Sequence, residues 1–258
     1  MNVSSWLNSA PVDRLDAELI VADVLQKDRT FLHAHPEYEF TDVELKQVKA
    51  DTMRRALGEP LAYILRRKEF YGRNFEVNQD TLIPRPETEA LINVIKEIKP
   101  HRVLDVGTGS GCIAITAALE LPETEVDAVD ISLKALAVAK RNATNLGVNI
   151  NFYQSNLLEK IEGQYDLIVA NLPYVDREWD WTSPELTYEP QTALYAEDGG
   201  LALIKQLIEQ APAYLCKHGY LILEADLSQH KKIANYASNL FDRIGSNNQT
   251  LALSLCLR

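Results

Sequence analysis

Cysteine is scarce in this sequence, and long apolar runs are missing. Cys112, Cys216 and Cys256 are far apart among 258 residues and form no Cys-x-x-Cys pair. We expect core thiols in a reducing cytosol rather than disulfides or metal ligands. No stretch approaches the roughly 18 consecutive apolar residues of a membrane span, and the first residues lack the pattern of a secretory signal. These absences predict a cytoplasmic protein without a metal site or a membrane partner.

Positively charged residues are also few relative to negatively charged ones. The formal net charge is −11, from 26 Lys and Arg against 37 Asp and Glu. Such acidity disfavours tight, sequence-independent binding to a nucleic-acid backbone, because the field of the protein repels it. A local exception is a basic cluster of Arg54, Arg55, Arg66, Arg67, Lys68 and Arg73. This cluster is either a solvated helix face or a docking patch for an acidic or RNA-associated partner.

The N-terminal part of the chain carries helical patterns without strand patterns. Thr41-x-x-Glu44 is typical of a capping box, and Gly58 followed by Pro60 is typical of a helix end. The following stretch, EFYGRNFEVN, alternates around Gly72 and predicts a β-hairpin. We predict a helical domain over residues 1–66, a hairpin linker over 67–84 and a second domain over 85–258.

From Arg102 onward, strand and helix patterns alternate. The predicted strands are RVLDV, EVDAVD, INFYQ, DLIVA, GYLILEA and QTLALSLCLR. The predicted helices between them are GCIAITAALEL, SLKALAVAKRNATNLG and GGLALIKQLIEQAPAYL, the second with Ser132 as N-cap and Gly147 as stop. This alternation predicts a mostly parallel sheet covered on both faces. Such sheets bind ligands outside the carboxyl ends of their strands.

A glycine-rich stretch, LDVGTGSGCIAI, joins the first of these strands to its helix. Gly107, Gly109 and Gly111 allow a sharp turn and a close approach to a ligand. Cys112 stands where the dinucleotide pattern needs its third glycine, so no pyrophosphate is expected at this helix. Asp105 would place a carboxylate near the ammonium group of a bound amino acid.

Polar residues also follow the next two strands. Asp130 ends the second strand about 20 residues after the loop, where a carboxylate can bind both hydroxyls of a ribose. Asn156 and Leu157 fall where an adenine would lie, although Asn is also a common turn residue. A ligand with an amino-acid end and a nucleoside end is S-adenosylmethionine (SAM), which we predict as the cofactor. The alternative is a tight structural turn with an Asp N-cap.

The fourth strand stops at Asn171-Leu172-Pro173-Tyr174, within the stretch YDLIVANLPYVDREWDW. This strand should lie beside the first, which would bring Asn171 next to the methyl group of SAM. An amide nitrogen is a poor nucleophile, because its lone pair is delocalised. The Asn171 side-chain oxygen and the Leu172 carbonyl would accept its N–H groups, and Tyr174 would stack on a planar substrate group. The alternative is a plain turn that ends the strand.

Nine stretches, in order along nearly the whole chain, resemble the HemK/PrmC family, whose members methylate the glutamine of the Gly-Gly-Gln motif in peptide-chain release factors. They are GEPLAYIL, KEFYG, LIPRPETE, LDVGTGSGCIAI, AVDIS, ALAVAKRNA, VANLPYV, YEPQTAL and DGGLALI. The resemblance implies an α/β, class I SAM-dependent methyltransferase fold with a Rossmann-like seven-stranded sheet and an N-terminal helical domain for substrate docking. We expect a monomer that acts on release factors without stable nucleic-acid binding.

The resemblance also implies site residues. The expected SAM contacts are Gly107, Thr108, Gly109, Ser110, Gly111, Asp130, Leu157 and Asn171. The expected glutamine-binding residues are Asn171, Leu172, Pro173 and Tyr174, with Arg85, Pro86 and Glu87 near the substrate loop. The family motif is Asn-Pro-Pro-Tyr, so Leu172 replaces a proline; it keeps the backbone carbonyl and its extended geometry before Pro173. We expect activity to survive this change.

Three other functions compete with release-factor methylation. A ribosomal-protein glutamine methyltransferase would use the same site on a different partner. A methyltransferase for amino groups of nucleic-acid bases would use a similar motif, but the acidity and the lack of a separate basic recognition domain disfavour it. The third alternative is a SAM-binding homologue that has lost catalysis at Leu172.

Overall fold

The computed structural model describes residues 1–179, 183–246 and 251–257. Its contacts divide the chain into two units, Met1–Arg67 with Ser183–Tyr188 and Lys68–Thr182 with Glu189–Arg258. Residues 183–188 therefore belong with the first unit, although they lie inside the predicted range 85–258. The predicted last strand includes Gln249, Thr250 and Arg258, and the stretch after Asn171 includes Asp180 and Trp181; these five residues lie outside the described ones.

The first unit is helical, as predicted. Its helices are α1 (Val3–Ser9), α2 (Arg14–Leu25), α3 (Arg29–Ala34), α4 (Asp42–Ala56) and α5 (Leu61–Leu65). The predicted capping box begins α4: the Glu44 amide donates to Thr41 Oγ1 at 3.3 Å, and the Thr41 amide donates to Glu44 Oε2 at 2.7 Å. The core of this unit is formed by Val3, Trp6, Leu7, Ala17, Val21, Ala22, Leu25, Leu32, Phe40 and Val48.

Carboxylates neutralise much of the basic cluster in this unit. Arg54 Nη2 lies 2.6 Å from Glu59 Oε1, and Arg67 pairs with Asp23. Arg55 pairs with Asp16 at 2.5 Å and with Glu185, in the segment 183–188, at 2.6 Å. These ion pairs leave less free positive charge for an acidic partner than the sequence suggests, so they favour a structural role for these three arginines.

The predicted hairpin forms between β1 (Arg67–Phe70) and β2 (Arg73–Glu76). Tyr71 and Gly72 connect the strands with φ values of 51° and 73°. Two successive positive φ values are typical of the tight turns that match the twist of a hairpin. A short 3₁₀ helix (Pro86–Thr88) and α6 (Glu89–Ile98) follow.

The second unit contains the predicted seven-stranded sheet. Its strands are β3 (Arg102–Val106), β4 (Glu125–Asp130), β5 (Asn151–Gln154), β6 (Tyr165–Ala170), β7 (Leu215–Glu224), β8 (Phe241–Ser246) and β9 (Ala252–Leu257). The order is β5-β4-β3-β6-β7-β9-β8; β9 runs antiparallel to both neighbours and the other pairs are parallel. The other α-helices of the described residues are α7 (Cys112–Glu120), α8 (Leu133–Leu146), α9 (Gln191–Leu194), α10 (Ala202–Gln210) and α11 (Leu227–Ala237). Of the elements in this unit, α9, α11 and β8 were not predicted from the sequence.

The strand order places a switch point at β3, which lies between β4 and β6. Val106 is level with Val129 on one side and with Ala170 on the other. The residues that follow these three positions are Gly107, Asp130 and Asn171, so they meet at the same edge of the sheet. Parallel sheets bind ligands in the crevice at such a switch point.

Two features are absent from the described residues. None of their helices has both the length and the apolar character needed to cross a bilayer. They also contain no group of three or more His, Cys, Asp or Glu side chains arranged to hold a metal ion.

Candidate active site

A cavity of about 580 Å³ opens at the carboxyl ends of β3, β4 and β6, within the second unit. Most of the predicted site residues line it, namely Arg85, Gly107, Thr108, Gly109, Ser110, Asp130, Asn156, Leu157, Asn171, Leu172 and Pro173. The predicted residues that are not part of its lining are Asp105, Gly111, Tyr174, Pro86 and Glu87. The structure therefore gathers eleven positions from five separate stretches of the chain around one space.

The glycine loop lies against the segment that follows β6. Gly107 has φ 76°, and a Cβ atom there would lie 3.0 Å from Leu172 Cδ2. Gly111 has φ 82° and faces away from the cavity, because a Cβ there would lie 2.8 Å from Ile115 Cδ1. Glycine is needed at the first position for the loop to approach Leu172, and at the second for helix packing.

Asp105 lies beneath the loop rather than in the cavity wall. It is completely buried, and its Oδ2 accepts hydrogen bonds from Thr108 Oγ1 at 2.6 Å and from the Ala114 amide at 3.2 Å. Its Oδ1 is buried without a hydrogen-bond partner among the described residues. Burial raises the pKa of this carboxyl to about 7. The predicted contact with an ammonium group stays a prediction, for which Oδ1 is the available atom.

Asp130 lines the cavity in a fixed orientation. Its Oδ2 accepts from the Gly109 amide at 2.9 Å and its Oδ1 from the Ser132 amide at 2.8 Å. Burial raises its pKa, and these amide bonds oppose that effect by stabilising the charged form. A carboxylate oxygen can accept more than one hydrogen bond, so both oxygens retain capacity for ligand hydroxyls.

The segment after β5 contributes the opposite wall. Asn156 Nδ2 donates to Glu159 Oε1 at 2.6 Å. Leu157 is buried and has φ 47°, although it is not a glycine. Non-glycine residues with positive φ carry backbone strain, which clusters at functional sites. The strained backbone supports a ligand-binding role for this turn.

The Asn171–Tyr174 segment is held by residues that the sequence analysis did not identify. Asn171 Nδ2 donates to Thr88 Oγ1 at 3.2 Å, and Tyr174 Oη donates to Glu224 Oε1 at 3.2 Å. The Tyr174 carbonyl accepts from Gln229 Nε2 at 2.9 Å. Burial is the largest cause of a raised pKa at Tyr174. No local pattern connects these partners to this segment, because they lie 50 to 83 residues away along the chain.

Gly200 allows the chain to pass close to this segment. It has φ 80°, and a Cβ atom there would lie 2.0 Å from the Tyr174 carbonyl oxygen. No side chain fits in that space. The DGGLALI stretch thus fixes the backbone just after the proposed glutamine-binding residues.

Arg85 is anchored by a second buried carboxylate. Its Nη2 lies 2.5 Å from Glu189 Oε1, and Glu189 Oε2 accepts from the Ile83 amide at 3.0 Å. The Glu189 side chain is 1% exposed. This ion pair fixes the segment before the 3₁₀ helix against the cavity, whereas the Pro86 and Glu87 side chains lie outside its wall.

Comparisons with known proteins identify matching families and relatives. The family model of the PrmC N-terminal domain matches residues 2–65, and that of the methyltransferase small domain matches residues 86–185. A release factor glutamine methyltransferase of Koribacter versatilis is 43% identical over 226 residues, covering 84% of this chain and 81% of its own. One of Coxiella burnetii is 41% identical over 239 residues, covering 90% and 86%.

A solved structure also shares the fold. The 16S rRNA N2 G1207 methyltransferase of T. thermophilus, solved with AdoMet and guanosine, has a TM-score of 0.54 and 15% identity. The similarity covers 74% of this chain and 50% of that one. At this identity the likeness shows the methyltransferase fold alone.

Proposed function

Because the chain belongs to the release factor glutamine methyltransferase family, we propose that it methylates a release factor. The acceptor is the side-chain amide nitrogen of the glutamine in the Gly-Gly-Gln motif, and the methyl donor is SAM. One observation carries the proposal: Asn171 and Leu172 line the same cavity as the glycine loop and Asp130. Docking of the release factor is assigned to the helical first unit.

The cavity residues fit the proposed cofactor. The Gly107–Gly109 backbone offers a surface that a ligand can approach closely, and Asp130 presents acceptor oxygens suited to ribose hydroxyls. The buried, unpartnered Asp105 Oδ1 is suited to a nearby cation. When bound, SAM supplies an electrophilic methyl group on a sulfonium ion.

The residues of the chain bind and orient the glutamine. Asn171 Oδ1 and the Leu172 carbonyl oxygen accept the two N–H groups of the substrate amide. These contacts would favour a nitrogen with a more localised lone pair and would hold it for methyl transfer. On transfer, an N–C bond would form as the S–C bond of the donor breaks, and the proton lost by the nitrogen would pass to solvent. Leu172 fulfils this role as well as proline, because the acceptor is its backbone carbonyl.

Labelled methyl transfer to a purified release factor tests the proposal. The control is the same release factor with the glutamine of the Gly-Gly-Gln motif changed to alanine. We expect label on the unmodified release factor and none on the control. Label on the control, on ribosomal protein or on nucleic acid supports one of the competing functions, and a protein that binds SAM but transfers nothing has lost catalysis.

A further inference from the structure

A buried carboxyl group lies directly behind the proposed glutamine site. Glu224 is the last residue of β7 and is 1% exposed. The preceding residue, Leu223, is level with Ala170 in the neighbouring strand β6. Glu224 and Asn171 therefore occupy corresponding positions at the carboxyl edge of the sheet. Glu224 is not part of the cavity wall, so its influence on a ligand must pass through its neighbours.

One donor is bonded to this carboxyl group, and two more lie near it. Tyr174 Oη donates to Glu224 Oε1 at 3.2 Å. The Thr88 and Asn171 side chains lie close enough to lower the pKa of Glu224. Glu224 Oε2 has no hydrogen-bond partner among the described residues. A buried acceptor with spare capacity therefore lies beside two residues of the proposed glutamine site.

The chemistry of these groups fixes the direction of their hydrogen bonds. A carboxylate only accepts hydrogen bonds, and a threonine hydroxyl has a single proton to donate. The Thr88 hydroxyl accepts from Asn171 Nδ2 at 3.2 Å, so its own proton is available for Glu224. The amide nitrogen of Asn171 is thus turned toward Thr88 and Glu224. A rotated amide would place Asn171 Oδ1 against a negative charge.

We infer that Glu224 is a positioning residue, whose carboxylate determines which end of the Asn171 side chain faces the substrate. With the Asn171 nitrogen bonded to Thr88 Oγ1 and favoured on that side by the nearby Glu224 carboxylate, Oδ1 is the atom left to accept an N–H group of the glutamine. The Glu224 carboxylate holds the Tyr174 ring in the same way. This inference rests on the proposed function, because it specifies how the same site is oriented.

The charged state of Glu224 provides a second test of the inference, because turnover should depend on pH. Burial raises its pKa, and the nearby Glu87 acts in the same direction, whereas the three donors lower it. Protonated Glu224 could donate a hydrogen bond and would no longer discriminate between the two ends of Asn171. We expect turnover at saturating SAM to rise with pH through a pKa above 4.5, the usual value. The other titratable groups that interact with this region are Cys112 at Glu224, and Arg85 and Asp226 at Tyr174.

Glu224→Gln tests the inference, with Asp127→Asn as the matched control. Asp127 is also a buried carboxylate in this sheet, and its Oδ2 accepts from Tyr165 Oη at 2.7 Å, but it does not line the cavity. Both substitutions replace a carboxylate by an amide of the same shape. We expect Glu224→Gln to lower kcat by about tenfold to a hundredfold and to flatten the acidic limb of its pH profile. SAM affinity should change little in Glu224→Gln, and kcat should change little in Asp127→Asn.

Thr88→Val and Thr88→Ser provide an independent pair of variants. Valine breaks the path from Asn171 to Glu224 and should reproduce the loss of kcat, whereas serine keeps the hydroxyl and should restore most of it. Equal losses of kcat and Tm in Glu224→Gln and Asp127→Asn would indicate a purely structural role and overturn the inference. Normal turnover of Glu224→Gln on an active wild-type background would overturn it as well. If the wild-type protein methylates no glutamine, the proposed function is wrong, and so is this inference.

Discussion

Two buried carboxylates of the same sheet each accept a hydrogen bond from a tyrosine, yet their surroundings differ. Asp127 accepts from Tyr165, and it also contacts Arg102 Nη2 at 3.2 Å and Asn151 Nδ2 at 2.8 Å. Glu224 accepts from Tyr174, but its Oε2 has no hydrogen-bond partner among the described residues. The first carboxylate is compensated by a cation and an amide, whereas the second is paired with no cation in the described part of the chain.

The difference in compensation corresponds to the position of each carboxylate in the fold. Tyr165 begins β6, whereas Asn171 and Tyr174 follow its end, where the candidate site lies. Buried charges are stabilised when they are paired and destabilised when they are not. Incomplete compensation beside a cavity is typical of functional sites, because it leaves a group available to act on its neighbours. The same residue types thus stabilise one end of the sheet and orient the site at the other.

The largest expected effect is on kcat, and it should distinguish two asparagines, one near each of these carboxylates. Asn171→Ala should reduce kcat by about a hundredfold to a thousandfold, as expected for loss of a transition-state acceptor. SAM affinity should stay within about tenfold, because other loop residues remain in place. Asn151→Ala, at Asp127, is the control and should leave kcat nearly unchanged. Calorimetry and a transfer assay measure the two quantities; loss of SAM binding with normal residual turnover would contradict the role of Asn171.

Asp130→Ala should have the opposite effect, because it should weaken SAM binding more than it lowers turnover. Loss of its acceptor oxygens should weaken SAM affinity by about tenfold to a hundredfold, from hydrogen bonds to a charged group. Turnover at saturating SAM should change much less, since Asp130 does not contact the transferred group. Calorimetric titration with SAM and kcat at high SAM check this. Unchanged affinity would remove Asp130 from the cofactor site.

Removing each tyrosine hydroxyl sharpens the comparison directly. Tyr165→Phe leaves a buried carboxylate with one donor fewer and should cost about 1–3 kcal/mol of unfolding free energy. Tyr174→Phe should lower kcat several-fold, because the ring loses its attachment to Glu224. Denaturant unfolding and transfer assays on both variants measure the contrast. If both proteins lose stability and turnover to the same extent, the two ends of the sheet do not differ as proposed.

The smallest expected effect is the release of the Asp105 proton when SAM binds. Burial raises the pKa of Asp105 to about 7, so part of the population carries this proton at neutral pH. An ammonium group near Oδ1 favours the charged carboxylate and lowers the pKa, so SAM binding at pH 7 should release a fraction of a proton. Calorimetry in two buffers of different ionisation enthalpy measures this release, and Asp105→Asn should abolish it. Proton uptake, or the same release in the variant, would contradict contact with the ammonium group.

The stability effect of Asp105 has the opposite direction from that of an ordinary ion-paired carboxylate. Its folded-state pKa is raised from 3.8 to about 7, so the folded protein binds more protons than the unfolded chain between these values. Its contribution to the unfolding free energy therefore falls as pH rises through this window and is lost above it. Asp105→Asn should make unfolding less dependent on pH between about 4 and 7.

Several parts of the fold follow from local patterns. Strands β3 and β6 are short, mostly apolar runs. The helix between Ser132 and Gly147 has a cap at each end: Ser132 Oγ accepts from the Ala135 amide at 3.2 Å, and Gly147 has φ 72°. α11 was missed, although Asp226 and Gln229 form a capping box that the sequence displays. β8 was missed because a strand at a sheet edge depends on its neighbour more than on its own pattern.

In the candidate site, too, local patterns predicted some residues and not others. Asp130 and Asn171 could be identified because Asp130 ends a strand and Asn171 directly follows one, and strand order then brings them together at one edge. Thr88 and Glu224 could not, since their partners lie 83 and 50 residues away in the chain. Contact between the Tyr174 ring and the substrate stays a prediction; the structure shows the Tyr174 hydroxyl bound to Glu224 and the residue outside the cavity lining.

The amino-acid sequence by itself determined the order of strands and helices, the glycine loop and the residues at the strand ends, because period, capping and backbone freedom act over a few residues. Tertiary structure alone decided which carboxylates are buried, which receive a compensating partner and which way Asn171 faces. Those properties depend on desolvation and on donors from distant segments, and they exist only after the sheet has assembled.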